Sequence, residues 1–201
     1  LHNIRMTIYG TECQLVRQLY ADGTISTDSY HKLINSQERH FDSDGALPLS
    51  DRKYVFKQFE EGRFIRFVRR HAWLMRLLKR PLTRRVVMLS DLGRGFLSLQ
   101  RDSQDELAAL RNAGIPEAQA RSIFSTLEAE VRENIERMRD CLDKLAADWP
   151  EAYSSALTSK AARMMLCNER RTVRNLTWDG VMSAKDGERC EESIDSRASR
   201  L

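Results

Sequence analysis

The densest run of carboxylates in this chain is Glu128, Glu130, Glu133 and Glu136, the kind of spacing that could supply a paired general acid and base. These acids alternate with Arg132, Arg137 and Arg139 opposite an apolar stripe, a pattern that describes a solvated, ion-paired helix face instead. Cys13, Cys141, Cys167 and Cys190 are far apart with no C-x-x-C pair, and His2, His31, His40 and His71 are equally scattered. Reduced thiols on helices are therefore expected, with neither a metal centre nor a disulfide framework. Gly93-Arg94-Gly95 lacks the preceding strand and the Lys-Ser/Thr of a phosphate loop and reads as close helix packing or a kink. No Ser/His/Asp or Cys/His constellation is supported, so the sequence predicts no enzyme and no cofactor.

Charge is the more informative signal. The 201 residues carry a net charge of +4, and Arg63, Arg66, Arg69, Arg70, Arg76, Lys79 and Arg80 form a segment without a single acid. On a helical projection Phe64, Val68, His71, Met75 and Leu78 fall along one side, while Arg63, Arg66, Arg70, Trp73, Arg76 and Arg80 gather towards the other. A basic amphipathic helix over residues 50–80 is expected, capped by Ser50 and closed by Pro81. Its cationic face can be solvated while the other side packs on a core, or it can lie on an anionic membrane leaflet or an acidic protein surface with Trp73 at headgroup level. Nucleic acid is not an expected partner, because the cations lack an interleaved aromatic platform and a recognition motif. A free-standing basic helical protein binding nucleic acid or an anionic membrane surface is the alternative.

The elements that position these residues are long helices. Aromatics, Gly and Pro are sparse and charges abundant, which favours helices over a sandwich or barrel. No stretch approaches the run of apolar residues needed to cross a bilayer, and the N-terminus lacks a signal-peptide pattern; a soluble intracellular chain is expected. Val86, Leu89, Leu92, Phe96, Leu99, Leu107 and Leu110 set a helix over residues 83–112, stopped by Gly114. Pro116 restarts a second helix, whose stripe is Ile123, Leu127, Val131, Ile135, Met138, Leu142 and Leu145. Trp149-Pro150-Glu151 restarts a third, and the short connections imply antiparallel neighbours. The fold expected is all-α: one domain, an elongated antiparallel bundle of three long helices spanning residues 83–178, plus the basic helix.

Each end of the chain adds the same hairpin. Glu12-x-x-x-Val16-Arg17-x-Leu19-x-x-Asp22-Gly23-x-Ile25-Ser26 and Glu169-x-x-x-Val173-Arg174-x-Leu176-x-x-Asp179-Gly180-x-Met182-Ser183 align without a gap, the mark of an internal duplication over residues 1–42 and 158–201. Gly23 and Gly180 should end one helix in a left-handed conformation, and Ser26 and Ser183 should cap the next. Ile25 is placed to staple onto Tyr30, and Ser183-x-x-Asp186 resembles a capping box. Gly187 stands where the first copy has Tyr30, so the second return helix should be the looser one.

The run Thr158-x-x-Ala161-Ala162-Arg163-x-x-Leu166-x-Asn168-Glu169-Arg170, continued through Asp179-Gly180-x-Met182, resembles the cytosolic tail of cation/proton antiporters of the bacterial, plant salt-tolerance and sperm-type branches. The earlier copy, with Arg17, Leu19, Asp22-Gly23-x-Ile25-Ser26 and Asp42, is similar to the segment that follows the last membrane helix in that family. The resemblance implies a fragment of a longer membrane protein: a non-catalytic regulatory or assembly domain on the cytoplasmic side of the plasma (inner) membrane. It further implies two partners, the chain's own transmembrane antiporter domain and a second copy in a homodimer. The ion-binding residues of the family lie in the membrane part. The stripe Ile123–Leu145, with Phe124 and Met138 beside it, is a candidate dimer face.

Overall fold

The computed structural model describes residues 2–60, 78–112 and 117–198. Seven helices occur among them: α1 (His2–Ala21), α2 (Thr27–Asp42), α3 (Lys53–Lys57), α4 (Lys79–Asn112), α5 (Glu117–Asp148), α6 (Pro150–Trp178) and α7 (Ala184–Ala198). The all-α class stands. Most of the basic segment, with Arg63, Arg66, Arg69, Arg70, Trp73 and Arg76, lies outside the described residues, as do Gly114 and Pro116. Among the described residues no helix is long and apolar enough to cross a membrane.

Helix α4 is the hub, packing on α1, α2, α5 and α6. Its pairing with α5 is antiparallel: Gly93 faces Met138 and Leu142, Gln100 meets Asn134, and Arg111 meets Glu128. The predicted stripe of α5 is spent here, since Phe124, Leu127, Val131, Ile135, Met138 and Leu142 are buried by the chain itself. That packing removes Ile123–Leu145 as a dimer face. At Gly93 a β-carbon would lie 2.7 Å from Leu142 Cδ2, and at Gly95 it would lie 2.9 Å from Ile25 Cγ2. The two glycines thus let α5 approach α4 on one side and the first hairpin on another, which is the close packing expected of this motif.

Two boundaries and one packing differ from the sequence reading. Pro81 does not close a helix but sits in the first turn of α4, where its missing N–H leaves no bond unmade. Ser50 caps nothing: a turn leads to Arg52 at the start of α3. Between α5 and α6 stands only Trp149, whose φ of −138° and ψ of 57° break the helix: its N–H makes the last bond of α5, to the Leu145 carbonyl, and its carbonyl accepts the first bond of α6, from Tyr153 N–H. Helix α6 packs chiefly on α4 and only lightly on α5, so α5 and α6 are not the close neighbours expected.

The two hairpins repeat bond for bond. Asp22 N–H bonds the Gln18 carbonyl as Asp179 N–H bonds that of Asn175; Thr24 and Ile25 reach Leu19 as Val181 and Met182 reach Leu176. Gly23 and Gly180 have φ of +68° and +71°, as a left-handed helix end requires. The caps diverge. Ser183 Oγ accepts the Asp186 N–H at 3.2 Å, the expected capping bond, whereas Ser26 occupies the cap position without a side-chain bond to the backbone. Its hydroxyl lies 3.0 Å from that of Ser29, which in turn donates to the Met88 carbonyl of α4. Tyr30 stacks on Tyr20, with ring centroids 4.6 Å apart. At the matching positions of the second copy are Gly187 and Thr177, and a β-carbon on Gly187 would lie 2.5 Å from Thr177 Oγ1. The glycine therefore lets α6 and α7 approach closely beside the turn.

Replacing Gly23 or Gly180 by Val should each cost on the order of 1–2 kcal/mol through left-handed strain. The loss at Gly23 should be larger, because its β-carbon would meet Cys167 Sγ at 2.5 Å and the Arg163 carbonyl oxygen at 3.0 Å, whereas Gly180 has nothing within 4 Å. Urea unfolding of both variants checks this; equal losses would mean that the turn's contact with α6 yields freely.

Candidate functional site

Among the described residues the apolar interior forms two clusters. The first gathers Val16, Ile25, Leu33, Phe56, Leu92, Phe96 and Leu142; the second gathers Ile8, Tyr9, Leu49, Leu107, Leu127 and Val131. Between them lies a polar layer drawn from α1, α2, α4, α5 and the connection before α3. At its centre are Glu12 and Arg52, whose side chains are 1% and 0% exposed.

Arg52 donates through Nη2 to both carboxylate oxygens of Glu12, at 2.9 and 2.8 Å. Nη1 donates to Gln37 Oε1 and Nε to the Leu49 carbonyl, each at 3.0 Å. The guanidinium also lies over the Tyr9 ring at 5.4 Å, a cation–π contact. Glu12 Oε1 accepts in addition from Gln100 Nε2 at 2.8 Å and from Ser103 Oγ at 2.9 Å. Asn134 Nδ2 closes the layer, donating to Gln100 Oε1 and to the Leu49 carbonyl at 2.8 Å each. The main chain at Leu49, wholly buried, is satisfied on both sides, since its N–H donates to Glu130 Oε2 at 2.7 Å. Glu130 in turn holds Arg5 at 3.0 Å. One of the four acids expected on a solvated face is therefore inside, fastening an irregular connection to α5 and α1.

Burial tunes the titratable neighbours of this layer. The Tyr9 phenol, which donates to the Leu47 carbonyl, is pushed up to about 12, chiefly by desolvation. His40, edge-on to Tyr9 at 4.9 Å, is held down to about 4, first by burial and next by Arg52, with Glu12 and Asp51 opposing. A second buried group lies where α4 meets α6. Asp91 is ion-paired to Arg163 and its carboxyl is raised, by burial first, with Arg163 and Lys160 pulling the other way; burial in turn lowers Lys160. Arg94 donates to the Tyr153 hydroxyl at 3.0 Å beside them.

A carboxylate that accepts four hydrogen bonds and is sealed from water is placed as a structural group and not as a general base, because a substrate has no path to it. What the arrangement does is hold five segments in one register. Of the residues singled out in the sequence, Gly23 and Ser26 meet α6 and α4, Gly180 and Ser183 shape a solvent-facing turn, and Lys79 and Arg80 begin α4. Arg52, Gln37, Gln100, Ser103 and Asn134 were not foreseen. Their signal was available: Glu12 falls between Ile8 and Val16, Gln100 and Ser103 between Phe96 and Leu107, and Asn134 between Val131 and Met138, each a polar residue on an apolar stripe.

Leaving a buried charge without its partner is costly, so Arg52→Met should destabilise by about 3–5 kcal/mol, and Glu12→Leu with Arg52→Met together should cost clearly less than the sum. A double-mutant cycle by denaturant unfolding measures this coupling; strict additivity would refute it. His40 gives a pH signature. Its folded value lies below the ordinary value of about 6.5, so the unfolded chain binds the extra proton between the two. Stability should be full above about pH 6.5 and fall by on the order of 2–3 kcal/mol as pH drops towards 4. His40→Leu should flatten that slope in chemical unfolding followed by far-UV circular dichroism.

Comparison of the sequence with family models and with curated proteins gives no match.

Proposed function

We propose that this chain is a non-catalytic cytosolic domain of a sodium/proton antiporter, serving regulation or assembly. The observation that carries this reading is the pair of equivalent Asp-Gly hairpins, since their turns agree bond for bond and the likeness to exchanger tails rests on the residues that build them. By that likeness α1 is the element nearest the membrane part. Glu12 and Arg5 on α1 are bonded to Arg52, Gln100 and Glu130, so a displacement of α1 would reach α4 and α5 through bonds that do not stretch freely. The partner would be the chain's own transmembrane domain. The encoding reading frame tests the reading: a polytopic membrane segment upstream of Leu1 is expected, and a start codon just upstream with no such segment overturns it.

The acid-free segment from Arg63 to Arg80 supports a second contact, with an anionic leaflet. Binding of the chain to vesicles containing anionic lipid should fall as salt rises and weaken when Arg66, Arg70 and Arg76 are changed to Gln, each cation near the surface contributing about 1 kcal/mol. Co-sedimentation measures it; equal binding to neutral vesicles, or none to either, would refute the contact. Salt-dependent binding to random duplex DNA at physiological salt would favour the nucleic-acid alternative instead.

A further inference from the structure

Where the first half of α4 meets α3 and the last turns of α5 there is a cavity of about 260 Å³. Leu82, Val86 and Leu89 succeed one another by four and three along α4 and form one wall. Phe56 of α3 and Trp149 between α5 and α6 add aromatic surface. Val86, Leu89 and Phe56 belong to the first apolar cluster and Trp149 packs against it, so the cavity is a recess in that cluster. The same spacing on α5 brings Arg137, Cys141 and Lys144 to the facing side, and Arg85 joins them from α4. The three cations are exposed, which puts them at the mouth. Glu60 and Asp148 also reach it, so three cations face two acids and a positive charge is left over. Arg137 rests on the Phe56 ring, 4.0 Å from its centroid, a contact with the flat face of the guanidinium that leaves the N–H edge open. Among the described residues neither Arg137 nor Lys144 forms an ion pair or a side-chain hydrogen bond.

We propose that this cavity binds a medium-chain fatty acid, its acyl chain along Leu82, Val86 and Leu89 and its carboxylate between Arg137 and Lys144. Size and charge select that ligand. An apolar cavity of about 150 Å³ already holds benzene, so this one has room for a single short acyl chain and not for the two chains of a phospholipid. The site is thereby distinct from any contact of residues 63–80 with a leaflet. A neutral apolar molecule would leave the two cations without a counter-charge, and a small inorganic anion would leave the apolar wall bare. A carboxylate on a short chain meets both, in the usual arrangement of a ligand site with apolar walls and a few polar groups that fix orientation.

The site is independent of the transport reading and is tested on the 201-residue chain with octanoate, below its micelle-forming concentration, as the probe. Calorimetric titration at neutral pH should show one saturable site for octanoate, no binding of acetate, and binding of octanol weaker by about tenfold or more. Arg137→Gln combined with Lys144→Gln should bring octanoate down to the affinity of octanol. The same double variant should leave octanol binding and far-UV circular dichroism unchanged, because both side chains are exposed. Octanoate should also slow the labelling of Cys141 by N-ethylmaleimide, read residue by residue by mass spectrometry, and leave Cys190 of α7 unaffected. No saturable binding of octanoate, octanol binding as tightly as octanoate, a double variant that binds like the parent, or binding that leaves Cys141 unprotected would each overturn the proposal.

Discussion

The fold depends on one buried ion pair. Taking Glu12 and Arg52 out of water carries a large desolvation cost, which their mutual attraction offsets only if the remaining donors and acceptors are also met. Gln37, Gln100, Ser103 and the Leu49 carbonyl meet them, and the geometry this requires leaves little freedom in how α1, α2, α4 and the connection before α3 are arranged. An apolar layer of the same volume would tolerate sliding of one helix past another; hydrogen-bond directions do not. Asn134 extends the constraint to α5. The two apolar clusters on either side supply the bulk of the burial, and the polar layer between them fixes their register.

The two hairpins share one turn design and differ in energetics. The first takes its cation from outside, from Arg52, and keeps an uncharged His40 at the position where the second has Arg197. The second neutralises Glu169 from its own return helix. That difference accompanies another: both helices of the first copy pack on α4, whereas in the second α6 packs on α4 and α7 packs chiefly on α6. The Tyr20–Tyr30 stack and the Thr177–Gly187 approach are two solutions of the same spacing problem near the turn, one by large flat rings and one by removing a side chain.

Polar groups inside this protein act as fasteners. Glu130 ties the main chain at Leu49 to α5, and Asp91 ties α4 to α6 through Arg163.

The sequence by itself determined the helices, because apolar spacing of three and four is a local property: the stripes of α4 and α5, Pro150 at the start of α6, and the Asp-Gly turns with left-handed glycines were all legible. So was the duplication. Only the tertiary structure decided which polar residues go inside. Glu12 and Glu130 resemble other helix acids until Arg52, forty residues away from one, and Leu49, far from the other, are brought to them by the fold. Ser26 looked like a cap and lost that role because Ser29 and α4 compete for its neighbourhood. Trp149-Pro150 was legible as a helix restart, and the non-helical backbone of Trp149 makes it one, but only the fold decided that α6 packs on α4 more than on α5. Periodicity reports which side of a helix is apolar; the partners of the polar residues on that side are set by contacts remote in sequence, and no local pattern encodes them.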